Sequence, residues 1–339
     1  MKKPQRLPWR RALPGFIVSA AVLVVVFAIS DPRTLWQALR SVPLWVLAAA
    51  SVLLALSLVL RAISWQVLLG HRVKWADAFW ALSTGYLINN IIPFRAGEAA
   101  RAFLVAPKAR VSFWHALSTV MVERLFDVVL LASMLVGSLP WVLDVPWARQ
   151  AAWGFGGAAL GVLIALAIIA RYRARLAPAL TSWQQRHAHF SWGKRLLHWA
   201  LSFLDGLEAL ASPTSLTAVT FLLAASWGVQ VAAYGLTLRA LVPQASYLWA
   251  AFALGSVGMG VAVPSAPGGL GVVEGVMVFV LGVLGVGPSV ALAYALAMHG
   301  IYYVVTGVLG WGGAMVYGVS LRGAFGQAQN WEKHHEAPE

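Results

Sequence analysis

Glu123-Arg124-Leu125-Phe126-Asp127 puts three ionisable side chains into little more than one helical turn of an otherwise apolar stretch. Charge inside a segment long enough to cross a bilayer is costly, and by default it marks a functional site. If the helix starts near Phe113, Glu123 lies about 15 Å along it at 1.5 Å per residue, close to the bilayer centre. Glu123 and Asp127 are four apart and share a face. Arg124 is turned about 100° from Glu123, so it is expected to address a different neighbour. Two roles are open: an ion-pair network that locks helices together, and direct contact with a substrate or ion. A third uses Glu123 or Asp127 as the base of a membrane-embedded transferase acting on a lipid.

A second group surrounds a break in an apolar segment: Asn89, Asn90, Pro93, Arg95, Gly97, Glu98 and Arg101. Arginine offers a fork of donors matched to phosphate oxygens and stays charged when partly desolvated. Gly97 supplies the backbone freedom such a turn requires. Free N–H groups at a broken helix also suit an anion. Asn89 and Asn90 could instead satisfy backbone groups that the break releases.

The third group is Pro264-Ser265-Ala266-Pro267-Gly268-Gly269-Leu270-Gly271, followed by Glu274. This string cannot remain helical, yet apolar residues flank it on both sides. Glu274 opens the next helix, where a carboxylate is favourable. It could also balance an arginine of the first break or carry a proton. His299, near Tyr302 and Tyr303, reads as a buried, hydrogen-bonded histidine.

The offset from Pro93 to Pro264 equals that from Gly97 to Gly268, so the break recurs in corresponding halves. Such recurrence points to the substrate site of a transporter. The elements that must position these groups are membrane spans. Of the 339 residues, 60% are hydrophobic and 11% charged, which excludes an ordinary soluble domain. Spanning helices are expected at 14–30, 43–67, 113–140, 149–171, 214–240 and 289–318, with hairpins at 75–105 and 246–284. The expected fold class is an all-α polytopic integral membrane protein, with about six spanning helices and two Pro/Gly-broken re-entrant hairpins arranged as an inverted repeat. Each half reads helix, helix, hairpin, helix. An odd number of crossings per half turns the second half upside down.

Charge gives the orientation. The net charge is +13. Lys2, Lys3, Arg6, Arg10 and Arg11 precede the first span, and Arg171, Arg173, Arg175, Arg186, Lys194 and Arg195 fill the long polar connection. Short Lys/Arg-rich loops stay cytoplasmic. Both termini are therefore expected inside, with the mixed loops near Asp31–Arg40, Asp144–Arg149 and Arg239 on the far side. The expected organisation is a basic N-terminus (1–12), one membrane domain (13–320) and a polar tail (321–339). Within the domain lie repeat one (14–140), repeat two (149–318) and an amphipathic cytoplasmic linker (172–212), whose leucines around 184–211 read as a surface helix. Ala28-Ile29-Ser30 loosely resembles a signal-peptide cleavage site, but the first span completes a repeat, which favours a retained helix.

Nucleic acid is not the expected partner, because the basic residues flank apolar spans and suit anionic lipid headgroups instead. The 17 tryptophans, several near span ends, fit the same environment. Cysteine is absent, which excludes disulfides and thiolate chemistry. No phosphate-binding Gly-x-x-x-x-Gly-Lys-Ser/Thr string and no metal-ligand spacing occur, so no cofactor and no metal are expected; His334-His335 sits in the polar tail.

Pro93-x-Arg95-x-Gly97-Glu98-x-x-Arg101, Glu123-Arg124-x-x-Asp127 and Pro264-x-x-Pro267-Gly268-Gly269-x-Gly271-x-x-Glu274 together closely resemble the lysylphosphatidylglycerol synthase transmembrane-region family, also called flippase-like, from about residue 14 to 320. The resemblance implies movement of an anionic phospholipid or polyprenyl-phosphate lipid between leaflets of the bacterial cytoplasmic (inner) membrane. It also implies a partnership with a separate lipid-modifying enzyme, since a chain ending at Glu339 looks like a stand-alone translocator without the soluble synthase domain. The residues it offers for substrate contact are Asn89, Asn90, Arg95, Glu98, Arg101, Glu123, Arg124, Asp127 and Glu274.

Overall fold

A bilayer has no water to satisfy backbone groups, so an apolar chain of this kind must close its hydrogen bonds within helices or a barrel. The computed structural model describes residues 9–92, 95–143, 145–186, 200–261 and 265–318, and their regular structure is entirely helical. In order, the helices are α1 (Trp9–Ala28), α2 (Pro32–Ser41), α3 (Leu44–Leu68), α4 (Trp75–Ile91), α5 (Ala96–Ala109), α6 (Phe113–Val142) and α7 (Ala148–Arg186). There follow α8 (200–206), α9 (Pro213–Leu241), α10 (Tyr247–Gly260), α11 (Val272–Val283) and α12 (Pro288–Val316). Short 3-10 turns occupy Glu208–Ala211 and Pro267–Gly269.

Five helices are long and apolar enough to span a bilayer: Leu44–Leu68, Phe113–Val142, Ala148–Pro178, Pro213–Leu241 and Pro288–Val316. A sixth span is possible if α1 and α2 count as one, but they meet at a bend of 93°. The segment expected as a loop near Asp31–Arg40 is therefore helical over most of its length. Its cause is local. Asp31 caps the Thr34 N–H at 2.7 Å, and Pro32, which has no N–H to leave unsatisfied, starts the new helix. Pro93, Pro264, Asp144, Lys194, Arg195, the first basic residues, the C-terminal tail and residues 187–199 of the expected surface helix at 184–211 lie outside the described residues.

Small side chains bring the helices close, as lipid-embedded packing requires. α3 packs on α9, where Ser226 donates to the Ser57 carbonyl at 3.0 Å. α4 packs on α12, whose Gly310 and Gly313 face the α4 backbone at Ser83 and Trp80. α6 packs on α10, whose Gly255 lies against the Leu131 carbonyl. Large apolar side chains such as Phe221, Phe279, Val304 and Val308 point outward, as lipid-facing residues do.

At the first break α4 stops at Ile91, and Arg95 adopts a left-handed conformation (φ 54°, ψ 36°) before α5 starts at Ala96. α4 and α5 then cross so closely that a Cβ on Gly97 would collide with the Gly85 carbonyl. At the second break Gly268, Gly269 and Gly271 all have positive φ (68°, 81° and 83°), a region that L side chains disfavour. Gly97→Ala should therefore cost about 1–3 kcal/mol through overpacking. Gly137→Ala, with open space around its Cβ, should leave the thermal unfolding midpoint of the detergent-purified protein unchanged.

Candidate functional site

An arginine that the sequence motifs omit lies at the centre of the ionic cluster. Arg61 enters from α3 with its guanidinium buried, and its Nη1 donates to Glu123 Oε1 at 2.9 Å and to Asp127 Oδ2 at 2.8 Å. Its Nη2 donates to Asp127 Oδ1 at 2.8 Å, which completes a two-pronged grip on that carboxylate. The opposite oxygen of Glu123, Oε2, accepts from Arg101 Nη1 of α5 at 3.0 Å. Trp227 of α9 donates its indole N–H to Asp127 Oδ1 at 2.9 Å. Arg61 also faces the Trp227 ring and Arg101 the Trp65 ring, at 5.2 and 4.9 Å from the ring centroids. Four helices, α3, α5, α6 and α9, thus converge on two carboxylates.

Arg124 behaves differently from the expectation drawn from its helical angle. Its Nη2 lies 3.0 Å from Glu123 Oε1 and 3.1 Å from Asp127 Oδ2, so it joins the same cluster. A 100° turn separates the Cα–Cβ bonds, but a long guanidinium side chain can fold back over its own helix. Arg124 Nε also faces Glu98 Oε1 at 3.8 Å, beyond hydrogen-bonding reach. Arg95 approaches Glu98 Oε1 at 4.0 Å, with half its side chain exposed, and its Nη2 donates to the Val261 carbonyl of the second half at 3.5 Å.

Two buried guanidinium nitrogens, Arg101 Nη2 and Arg124 Nε, have no hydrogen-bond partner among the described residues. Both residues line a narrow cleft of about 20 Å³, room for about one water molecule, walled also by Tyr86, Asn89 and Glu98. Orphaned donors of this kind are costly unless something fills the space. Asn89 Oδ1 accepts the Gly97 N–H at 2.8 Å, so it secures the break, while Asn90 Nδ2 donates to Thr306 on α12 at 2.8 Å.

Glu274 does not meet an arginine of the first break. Its Oε1 lies 2.6 Å from His299 Nδ1, and its Oε2 accepts the Gly271 N–H at 2.7 Å. His299 Nε2 faces the Gly268 carbonyl at 3.1 Å, and Tyr303 donates to the Pro267 carbonyl at 3.0 Å. Ser19 of α1 accepts the Ala266 N–H at 2.8 Å. Ala266, Pro267, Gly268 and Gly271 are thus held by side chains from α1, α11 and α12.

Arg61 and Trp227 were not singled out from the sequence. The available signal was Arg61 itself, the one charged residue within α3. Among the described residues, no group of three or more His, Asp and Glu side chains could hold a metal ion.

This arrangement of motifs has relatives. Residues 13–310 match the lysylphosphatidylglycerol synthase TM region. The chain belongs to that family. It is also similar to Glycosyltransferase AglD of Haloferax volcanii, at 26% identity over 358 aligned positions that cover 95% of this chain and 57% of that protein. The chain therefore spans little more than half the length of that curated relative. No solved structure matches.

Removing Arg61 takes from Asp127 its two-pronged partner and leaves buried carboxylate oxygens of Asp127 and Glu123 short of donors, although Arg101 and Arg124 remain as counter-charges. Arg61→Leu should destabilise the protein by about 3–5 kcal/mol. Arg61→Lys should restore less than half of that, because an ammonium cannot grip Asp127 in two places. Unfolding of the purified protein, followed by tryptophan fluorescence, measures both.

Proposed function

We propose that this family member moves an anionic, phosphate-bearing lipid headgroup between the two leaflets of a cytoplasmic membrane. One observation carries the reading: Arg101 and Arg124, each with a buried N–H donor that has no partner among the described residues, line a polar cleft beside a helix break. A phosphate oxygen supplies the acceptors those donors lack. Arg95, exposed at the same break, is the first guanidinium an entering headgroup would meet. Glu98 would act as the resident counter-charge that the headgroup displaces. Acyl or prenyl chains would remain in the bilayer.

The pattern of helix packing supports an inverted repeat. If α3, α4–α5 and α6 correspond to α9, α10–α11 and α12, then the α4–α12 and α6–α10 contacts are equivalent. The α3–α9 contact then lies on the pseudo-axis. On this reading the breaks belong to re-entrant hairpins, and the two halves rock about the site to expose it alternately. Arg171, Arg173 and Arg175, at the far end of α7, would face the cytoplasm with both termini.

The name of the haloarchaeal relative raises a second reading, a lipid-modifying transferase with a carboxylate base. The geometry favours it less. Glu123 and Asp127 each have their oxygens engaged by several guanidinium groups, which leaves neither carboxylate placed to take a proton from a substrate.

The test is headgroup accessibility in reconstituted vesicles, with labelled anionic and zwitterionic lipids. Wild-type protein should move at least one anionic lipid, and Arg101→Gln should slow that movement by about tenfold or more. Arg95→Gln, which leaves the buried cluster intact, should slow it by a smaller factor. A folded wild-type protein that moves no lipid would overturn the reading. So would variants that move lipid as fast as wild type, or a covalently altered lipid product.

A further inference from the structure

We infer that Glu274 and His299 form a proton-binding site, and that its occupancy holds the second break closed. The argument is a count of hydrogens. His299 Nδ1 faces a carboxylate oxygen at 2.6 Å, and His299 Nε2 faces the Gly268 carbonyl at 3.1 Å. Both neighbours are acceptors at the facing atom. A neutral imidazole carries one N–H, so it can satisfy one of them and must turn a lone pair toward the other. Both contacts are satisfied together only when the pair holds one more proton. That proton sits on the ring as imidazolium beside carboxylate, or on Glu274 as carboxylic acid donating to Nδ1 while Nε2–H donates to Gly268.

Loss of the proton sets a lone pair against a lone pair at one of two places. If Nδ1 keeps its hydrogen, the contact with the Gly268 carbonyl fails. If Nε2 keeps it, the contact with Glu274 fails, and the same carboxylate secures Gly271 through its other oxygen. Either way the Pro267–Gly271 segment loses a tether. The pair is buried, with Glu274 1% and His299 5% exposed, so water does not readily replace the missing bond.

The surroundings leave this count unchanged. On α12 itself the ring adjoins Tyr302 and Tyr303, and Tyr303 donates to Pro267 rather than to the histidine. From α4, Tyr86 stands edge-on to Tyr302. From α9, Tyr234 meets α12 at Tyr294. From α3, Arg61 is engaged by Glu123 and Asp127. From α2, Asp31 reaches α12 through its backbone N–H at Ser289, near the opposite end. Glu274 is therefore the charged group in hydrogen-bond contact with the ring.

Proton occupancy and the seating of the second break are then one linked equilibrium. The ligand is a proton, and the site lies in the half of the chain opposite the arginine cleft. This inference goes beyond the lipid-moving reading and does not rest on it.

Hydrogen exchange of the backbone amides of Gly268–Gly271 in wild-type protein in lipid nanodiscs tests it without any lipid movement. With rates normalised to intrinsic exchange and referenced to α9, protection should fall by about tenfold or more from about pH 5 to about pH 9. Glu274→Gln provides the sharper arm. Its amide can donate to Nδ1 and accept from Gly271, while Nε2–H serves Gly268, so every contact is met by a neutral ring. Protection in this variant should stay at the low-pH wild-type level, within about twofold, across the whole range. A flat wild-type profile would overturn the inference. So would a folded Glu274→Gln protein whose loop follows the wild-type pH dependence. If Glu274→Gln does not fold, the wild-type profile alone decides.

Discussion

The rest of the arrangement depends on neutralising charge where water is scarce. Glu123 and Asp127 are buried, and each would be prohibitively costly alone in such a place. Arg61 and Arg101 come from two other helices to answer them, and Trp227 arrives from a third. Relative positions of α3, α5, α6 and α9 are therefore fixed by the need to bring donors to carboxylates, more narrowly than apolar packing alone could fix them. Apolar contacts between lipid-embedded helices gain little over contacts with lipid, whereas a directional ionic contact has one geometry. The same cluster carries more N–H groups than its carboxylates use, and the two arginines that hold the surplus line the cleft.

The helix breaks obey the same rule with backbone groups in place of charges. A non-helical segment among apolar helices must find partners for its freed N–H and C=O groups. At the first break Asn89 serves Gly97. At the second, Ser19, Glu274, His299 and Tyr303 serve Ala266, Gly271, Gly268 and Pro267. The two breaks share a Pro/Gly pattern and differ in what holds them: a neutral amide at the first, a titratable pair at the second. The first break leaves cationic donors open; the second leaves a carboxylate and an imidazole closed on each other.

Much of this was legible in the sequence, because long apolar runs admit few structures. Spans expected at 43–67, 113–140, 214–240 and 289–318 lie within a residue or two of α3, α6, α9 and α12. The helix of the span expected at 149–171 continues through the basic stretch, where Arg and Ala favour helix, and runs past Pro178 to Arg186. The site was legible in part. Glu123 and Asp127 announce themselves as charges in an apolar helix, and their partner Arg61 does so only once α3 and α6 are known to touch. Arg124 was misjudged because a helical wheel assigns directions to Cβ atoms, while the guanidinium ends several bonds away. His299 read as a buried histidine, which it is; that both its nitrogens face acceptors is a fact of tertiary geometry with no local signature.

The proposed two-fold correspondence of helices does not require two-fold chemistry at the breaks. Under the correspondence that relates α4–α5 to α10–α11, the arginine-rich break in one half is matched by a glycine-rich one in the other. A cleft made twice from arginines would hold its charge without relief, and a headgroup phosphate bound there would have little reason to leave. Setting guanidinium donors against one break and a proton-carrying pair against the other gives the two halves different responses to the same environment. Arg95 crosses between them, with its charge beside Glu98 and its donor on the Val261 carbonyl just ahead of the second break. Movement of the Pro267–Gly271 segment would therefore be felt at Arg95, the guanidinium proposed to meet an entering anion first. In the proposed cycle that link would join release at one break to rearrangement at the other, and no solvent-exposed loop would be needed to carry the signal.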